Sequence, residues 1–137
     1  MTFYILLEVI VDIHSSKVIE ILIPAHQNFK IIKKASFEYT FQWLKTVEVE
    51  GVVTTTPEDI SEMTGECLLV NPQYESDIYL TLTTENDGLI FGSEGTITIN
   101  ITDEQTSEIE WKEASYLLLA KTEGETYALL EGRFTVR

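Results

Sequence analysis

The chain has 137 residues, with 23 acidic against 9 basic side chains and a net charge of −14. Such a surface repels a phosphate backbone unless its cations cluster, and only Lys30, Lys33 and Lys34 lie close in sequence, so nucleic acid is not an expected partner. A single cysteine, Cys67, excludes an internal disulfide and fits a reducing compartment.

The length predicts one domain, and a domain of this size buries roughly 68% of the surface its unfolded chain exposes. The apolar run Phe3-Tyr4-Ile5-Leu6-Leu7 is interrupted beyond it by Glu8 and Asp12. Neither a signal peptide nor a membrane span is expected from so short a clean stretch.

Phe3 to Ile13 and Val18 to Ile23 read as two strands, a hairpin turning through His14-Ser15-Ser16-Lys17. Their near-continuous apolar character implies burial on both faces, in a core or against another subunit. Pro24 ends the second strand, and Ala25 to Asn28 reads as a loop. Phe29 to Ile32 is short and apolar, and Lys33-Lys34 break it. Phe37, Tyr39, Phe41 and Trp43 then alternate with Glu38, Thr40, Gln42 and Leu44, a strand with an aromatic face. Core packing is the expected role of those rings; the rival is a stacking platform for sugars or bases.

Val47, Val49 and Val52 belong to a further short strand or a strand end, bounded by Gly51, with Thr54 to Asp59 as a loop and Asp59 to Gly65 as a turn or one helical turn. Glu66 to Val70 is a strand, with Cys67 as a small core residue. Ile78, Leu80 and Leu82 alternate with Tyr79, Thr81 and Thr83; Glu85-Asn86-Asp87-Gly88 is a turn with glycine available for a positive φ. Leu89 to Phe91 is short. After the turn at 92–95, Thr96-Ile97-Thr98-Ile99-Asn100-Ile101 alternates strictly, one face buried and one wet.

Thr102-Asp103-Glu104-Gln105 fits a capping box and predicts a helical turn over 103–108. Ile109 and Trp111 pack after it. Leu117 to Ala120 and Thr126 to Leu130 form a hairpin about Glu123-Gly124-Glu125, and the chain ends in strand at 133–136. Gly132 marks a bulge or a close backbone approach. Tyr116 stands where a tyrosine corner would stand, or is an ordinary core tyrosine. This succession of short strands predicts an all-β sandwich or barrel. Phe37, Phe41, Trp43, Leu80, Leu82, Ile97, Ile99, Ile101, Trp111, Tyr116, Leu118 and Phe134 are its expected core.

Chemistry is sparse. His14 and His26 have no second ligand at metal spacing, and there is no paired-cysteine motif. The turn at 85–88 lacks the ligand ladder of a calcium loop. Asp103, Glu104, Glu108, Glu110 and Glu113 read as a solvated acidic face, and no nucleophile–base constellation is present. No catalytic residue, metal site or cofactor is expected.

Four stretches occur in one order: residues 80–90 (Leu80 to Ile90), Gly95-Thr96-Ile97-Thr98-Ile99, Asp103-Glu104-Gln105-Thr106, and Leu129 to Val136. Upstream stand Ile23-Pro24-Ala25-His26-Gln27-Asn28-Phe29, the aromatic strand ending at Trp43, and Asp59-Ile60-Ser61-Glu62-Met63-Thr64-Gly65. This set, over about residues 18–137, resembles a family of small phage and prophage structural proteins, and is distantly similar to the N-terminal β-sandwich of phage baseplate proteins. The resemblance implies an immunoglobulin-like antiparallel β-sandwich over residues 17–137. It also implies a virion role in the tail, the head–tail junction or the capsid exterior. The partners would be other virion proteins and copies of the chain, with synthesis in the bacterial cytoplasm. A carbohydrate- or receptor-binding module on the same fold is the alternative. Residues 1–16 lie outside the resemblance and read as a strand or arm. Phe3, Tyr4, Ile5, Leu6, Leu7, Val9 and Val11 are its candidate interface, with addition to a neighbour's sheet favoured over the chain's own.

Overall fold

The computed structural model describes residues 4–12, 18–20 and 24–137; for 4–12, 18–20, 47–49 and 53 it describes the backbone alone. Among the described residues, twelve strands form two six-stranded sheets. The first contains β1 (Tyr4–Asp12), β2 (Val18–Glu20), β5 (Phe37–Val49), β6 (Val52–Pro57), β9 (Leu89–Phe91) and β10 (Thr96–Ile101), in the order β2-β1-β5-β10-β9 with β6 also on β5. The second contains β3 (Ala25–His26), β4 (Phe29–Ile31), β7 (Thr64–Asn71), β8 (Tyr74–Thr83), β11 (Glu113–Thr122) and β12 (Glu125–Val136), in the order β3-β12-β11-β7-β8 with β4 also on β12. The sheets pack face to face as an immunoglobulin-like sandwich, and the chain crosses between them at 32–36, 58–63, 84–88 and 102–112. Pairing is antiparallel except that β3 and β4 run parallel to β12. Ala25-His26 is therefore strand where a loop was expected, and Ala25 is fully buried.

Strict alternation in β10 has the predicted outcome. Ile97, Ile99 and Ile101 are buried, while Thr96, Thr98 and Asn100 face outward. Phe41, Trp43, Leu82, Tyr116, Leu118 and Phe134 join them in the core, and Phe37, Leu80 and Trp111 pack against it while partly exposed. Phe29 ties the sheets together: its ring lies 5.4 Å from Phe37 and 4.7 Å from Tyr39 on one side, and 5.1 Å from Phe134 on its own. Each such pair adds about 0.5–1.5 kcal/mol beyond area burial.

Val47 and Val49 end the aromatic strand rather than forming a separate one. β5 continues to Val49 and turns through Glu50 and Gly51, at φ 51° and 82°, into β6. Two consecutive positive φ values make the tight turn whose twist suits a hairpin. The expected loop at Thr54 to Asp59 is thus strand as far as Pro57, and Asp59 to Met63 is a turn without a helix. Ser61 donates to Asp59 Oδ1 from its N–H and its hydroxyl, at 3.1 and 2.7 Å, and these bonds hold the exposed carboxyl below its ordinary pKa.

The capping box forms as expected. Gln105 N–H donates to Thr102 Oγ1 at 3.1 Å, Thr102 N–H donates to Gln105 Oε1 at 2.9 Å, and α1 runs Asp103–Ser107. At 85–88 the positive φ falls on Asp87 at 63°, not on glycine. Gly88 is needed for space instead, because a Cβ there would lie 2.8 Å from Leu82 Cα. Asn86 Oδ1 accepts from Thr83 N–H and Gly88 N–H, both at 2.9 Å, so the turn is closed by its own side chain.

In the last hairpin the bulge is at Leu129: Leu118 pairs with Leu130 and Leu119 with Ala128, and Leu129 between them is buried beside Leu130. Gly132 is regular in the ladder, opposite Tyr116, and marks a close approach.

Candidate functional site

β1 lies in the chain's own first sheet. It pairs with β5 from Tyr4 opposite Val49 to Asp12 opposite Phe41, and with β2 at Val11 opposite Val18. The favoured placement of residues 1–16 in a neighbour's sheet is corrected accordingly: β5 is long enough to offer this strand an edge that β10 and β6 do not use. Tyr4, Ile5, Leu6, Leu7, Val9 and Val11 are ladder positions of β1; Phe3 lies outside the described residues. His14 also lies outside them.

The aromatic platform considered for sugars is not available. Phe41 and Trp43 are buried, and Phe37 and Tyr39 pack on the core. Cys67 is fully buried; desolvation, then the charge of Glu66, pushes its thiol pKa upward, so it stays a protonated core residue. Tyr116 is likewise pushed up, first by burial and then by Cys67, Tyr39 and Glu131. Its hydroxyl donates to the Gln27 carbonyl at 2.5 Å, a bond from β11 to the β3–β4 link rather than the local bond of a tyrosine corner. In the acidic group at 103–113, Glu113 forms an ion pair with Arg133.

What the tertiary structure brings together is the outward face of the second sheet. On β11 the inward residues Tyr116, Leu118 and Ala120 are buried, so Ser115, Leu117 and Leu119 point away from the core. On β7, Cys67 and Leu69 are inward, so Leu68 and Val70 point outward. Leu68 lies opposite Leu117, Val70 opposite Ser115, and Ile78 of β8 opposite Val70. These side chains form one apolar stripe across three strands; Leu117 is 41% exposed and Ile78 50%. An open concavity of about 510 Å³ lies over Leu68, Val70, Leu117 and Leu119, edged by His26, Glu66, Glu75, Glu131 and Arg133. Lys121 Nζ holds Glu66 at 2.8 Å, whereas Glu75 and Glu131 carry no ion pair among the described residues. The face thus combines an apolar centre with a polar rim.

Sequence reading missed this face, although Leu68-Leu69-Val70 and Leu117-Leu118-Leu119 carry its signal. Three apolar residues in a row on an antiparallel strand put apolar side chains on both faces.

A second concavity, of about 590 Å³, lies at one end of the sandwich beside Tyr79 and Trp111, whose rings stack at 5.2 Å and 6°. The β7–β8 ladder skips Tyr79, and that bulge aims its ring at Trp111. No family model matches the chain, and no curated protein matches it.

Proposed function

We propose that this chain is a structural, protein-binding β-sandwich of a bacteriophage particle. It is made in the bacterial cytoplasm and acts in the tail, at the head–tail junction or on the capsid exterior. It works by contact with other virion proteins and with copies of itself, and has no catalytic role. One observation carries the contact reading: the apolar stripe of Leu68, Val70, Ile78, Leu117 and Leu119 on an outward sheet face. Leaving such a stripe in water costs roughly 25 cal/mol per Å² of apolar surface that a partner would cover. The virion setting rests on the ordered motifs from Leu80 to Val136. The carbohydrate reading keeps only the Tyr79–Trp111 stack, where each ring already covers one face of the other.

The test is mass spectrometry of purified particles from the bacterium that encodes the chain, with a Leu117→Asp variant expressed in parallel. The parent chain is expected at a fixed stoichiometry in the particles, and the variant is expected to be depleted. Particles that lack the parent chain would remove the virion reading. Equal incorporation of both chains would remove this face from it.

A further inference from the structure

The rim of the outward face points to the chemistry of what covers it. Its lining carries three carboxylates, Glu66, Glu75 and Glu131, against the one guanidinium of Arg133. Arg133 is held by Glu113, and Glu66 by Lys121, so the charges that face solvent without an ion pair among the described residues are Glu75 and Glu131. The centre is uncharged and aliphatic. A partner seated here desolvates the leucines and brings its own rim against those two carboxylates. Cations at the partner's rim would gain from that approach, and anions would be repelled.

The same charge argument disfavours a second copy. A two-fold contact through this face sets its net-negative rim against an identical rim, between chains of net charge −14. Resting on the protein-contact reading of this face, we infer that its occupant is a different polypeptide, one presenting aliphatic side chains framed by lysine or arginine. Leu117 sits at the middle of the stripe, between Leu68 on β7 and Glu131 on β12, and is its anchor point. Glu75 and Glu131 select the partner's charge.

The experiment uses the full chain and three short labelled peptides: one alternating leucine with lysine, one alternating leucine with glutamate, and one alternating serine with lysine at equal charge. Binding is read by fluorescence anisotropy, and its site by amide chemical shifts. The leucine–lysine peptide is expected to bind on the order of tenfold more tightly than either other peptide. Its shifts should centre on Leu68, Val70, Leu117 and Leu119. Leu117→Ser should weaken it by about tenfold, whereas Ile90→Ser, a control at an exposed leucine-sized residue of the other sheet, should leave it within about twofold. Glu131→Lys should weaken the leucine–lysine peptide and strengthen the leucine–glutamate one, which a merely structural change would not do. Thermal melts of all three variants establish that they are folded.

Equal binding of the serine–lysine peptide would overturn the inference, since bulk charge alone would then explain attraction. So would unchanged binding by Leu117→Ser, or a dimer of the free chain that Leu117→Ser abolishes. These outcomes are independent of particle composition, so failure of the virion reading and failure of the partner chemistry are distinguishable.

Discussion

Gly132 and Gln27 approach so closely that a Cβ built on Gly132 would lie 2.2 Å from the Gln27 carbonyl oxygen. Gly132 also has φ 152°, in the range that glycine tolerates. Gln27 N–H donates to the Glu131 carbonyl at 2.9 Å, so the β3–β4 link is clamped onto β12 at this point. Gly132→Val is expected to cost on the order of 1–3 kcal/mol. Gly124→Ala makes the comparison, since Gly124 has φ 89° but nothing within 4 Å of its Cβ position. Chemical denaturation should show the Gly132 variant as clearly the less stable of the two; equal losses would mean that the close approach contributes nothing.

Tyr116 holds the same Gln27 carbonyl. Tyr116→Phe keeps the ring but removes the donor to the Gln27 carbonyl. The acceptor is half-buried, so losing its donor is expected to cost about 1 kcal/mol. The midpoint of urea unfolding should fall with an unchanged slope; a midpoint equal to the parent's would show that water replaces the phenol freely.

Leu117 and Leu118 are neighbours on β11 with opposite fates. Leu118 is fully buried and Leu117 is 41% exposed. Leu118→Ala should cost about 2–5 kcal/mol, by lost transfer energy and the cavity left behind. Leu117→Ala should stay within about 0.5 kcal/mol of the parent. Similar losses at both positions would show that the outward face is covered within the chain.

Cys67 is expected to make stability fall at alkaline pH. Burial raises the thiol pKa in the folded state, so the folded protein keeps a proton that the unfolded chain releases above roughly pH 8.5. The thiol's contribution is therefore complete below that pH and is lost as pH rises toward the folded value. Tyr116, shifted the same way, adds a second decline above roughly pH 10. The stability gap between the parent and Cys67→Ala should narrow between roughly pH 8.5 and 10, and a thiol reagent should label Cys67 only on unfolding. Parallel pH curves for the two proteins would contradict this account.

Deleting residues 1–16 tests the place of β1. The deletion leaves the β5 edge from Phe41 to Val49 without its partner strand. An uncovered edge of that length invites pairing between chains. The shortened chain is expected to melt lower and to aggregate in light scattering. A monomer as stable as the parent would show that β1 is dispensable to the sandwich.

The sequence by itself determined the elements whose signal is local. Alternation placed Ile97, Ile99 and Ile101 inside, because a side-chain period of two admits one buried face. The Thr102–Gln105 box set the start of α1, because its bonds close within four residues. Other outcomes depended on residues far apart in the chain. β1 and β2 could pair at home or abroad by pattern alone, and only the free edge of β5 decided it. Ala25-His26 lacks strand character, yet becomes strand because β12 offers its edge. Gly132 needed Gln27 to give its lack of a side chain a purpose. The outward stripe was written in Leu68-Leu69-Val70 and Leu117-Leu118-Leu119, but a run of apolar residues does not say which neighbour faces water. Pairing β7 with β11 set Leu68 beside Leu117, and only then did single residues become a surface.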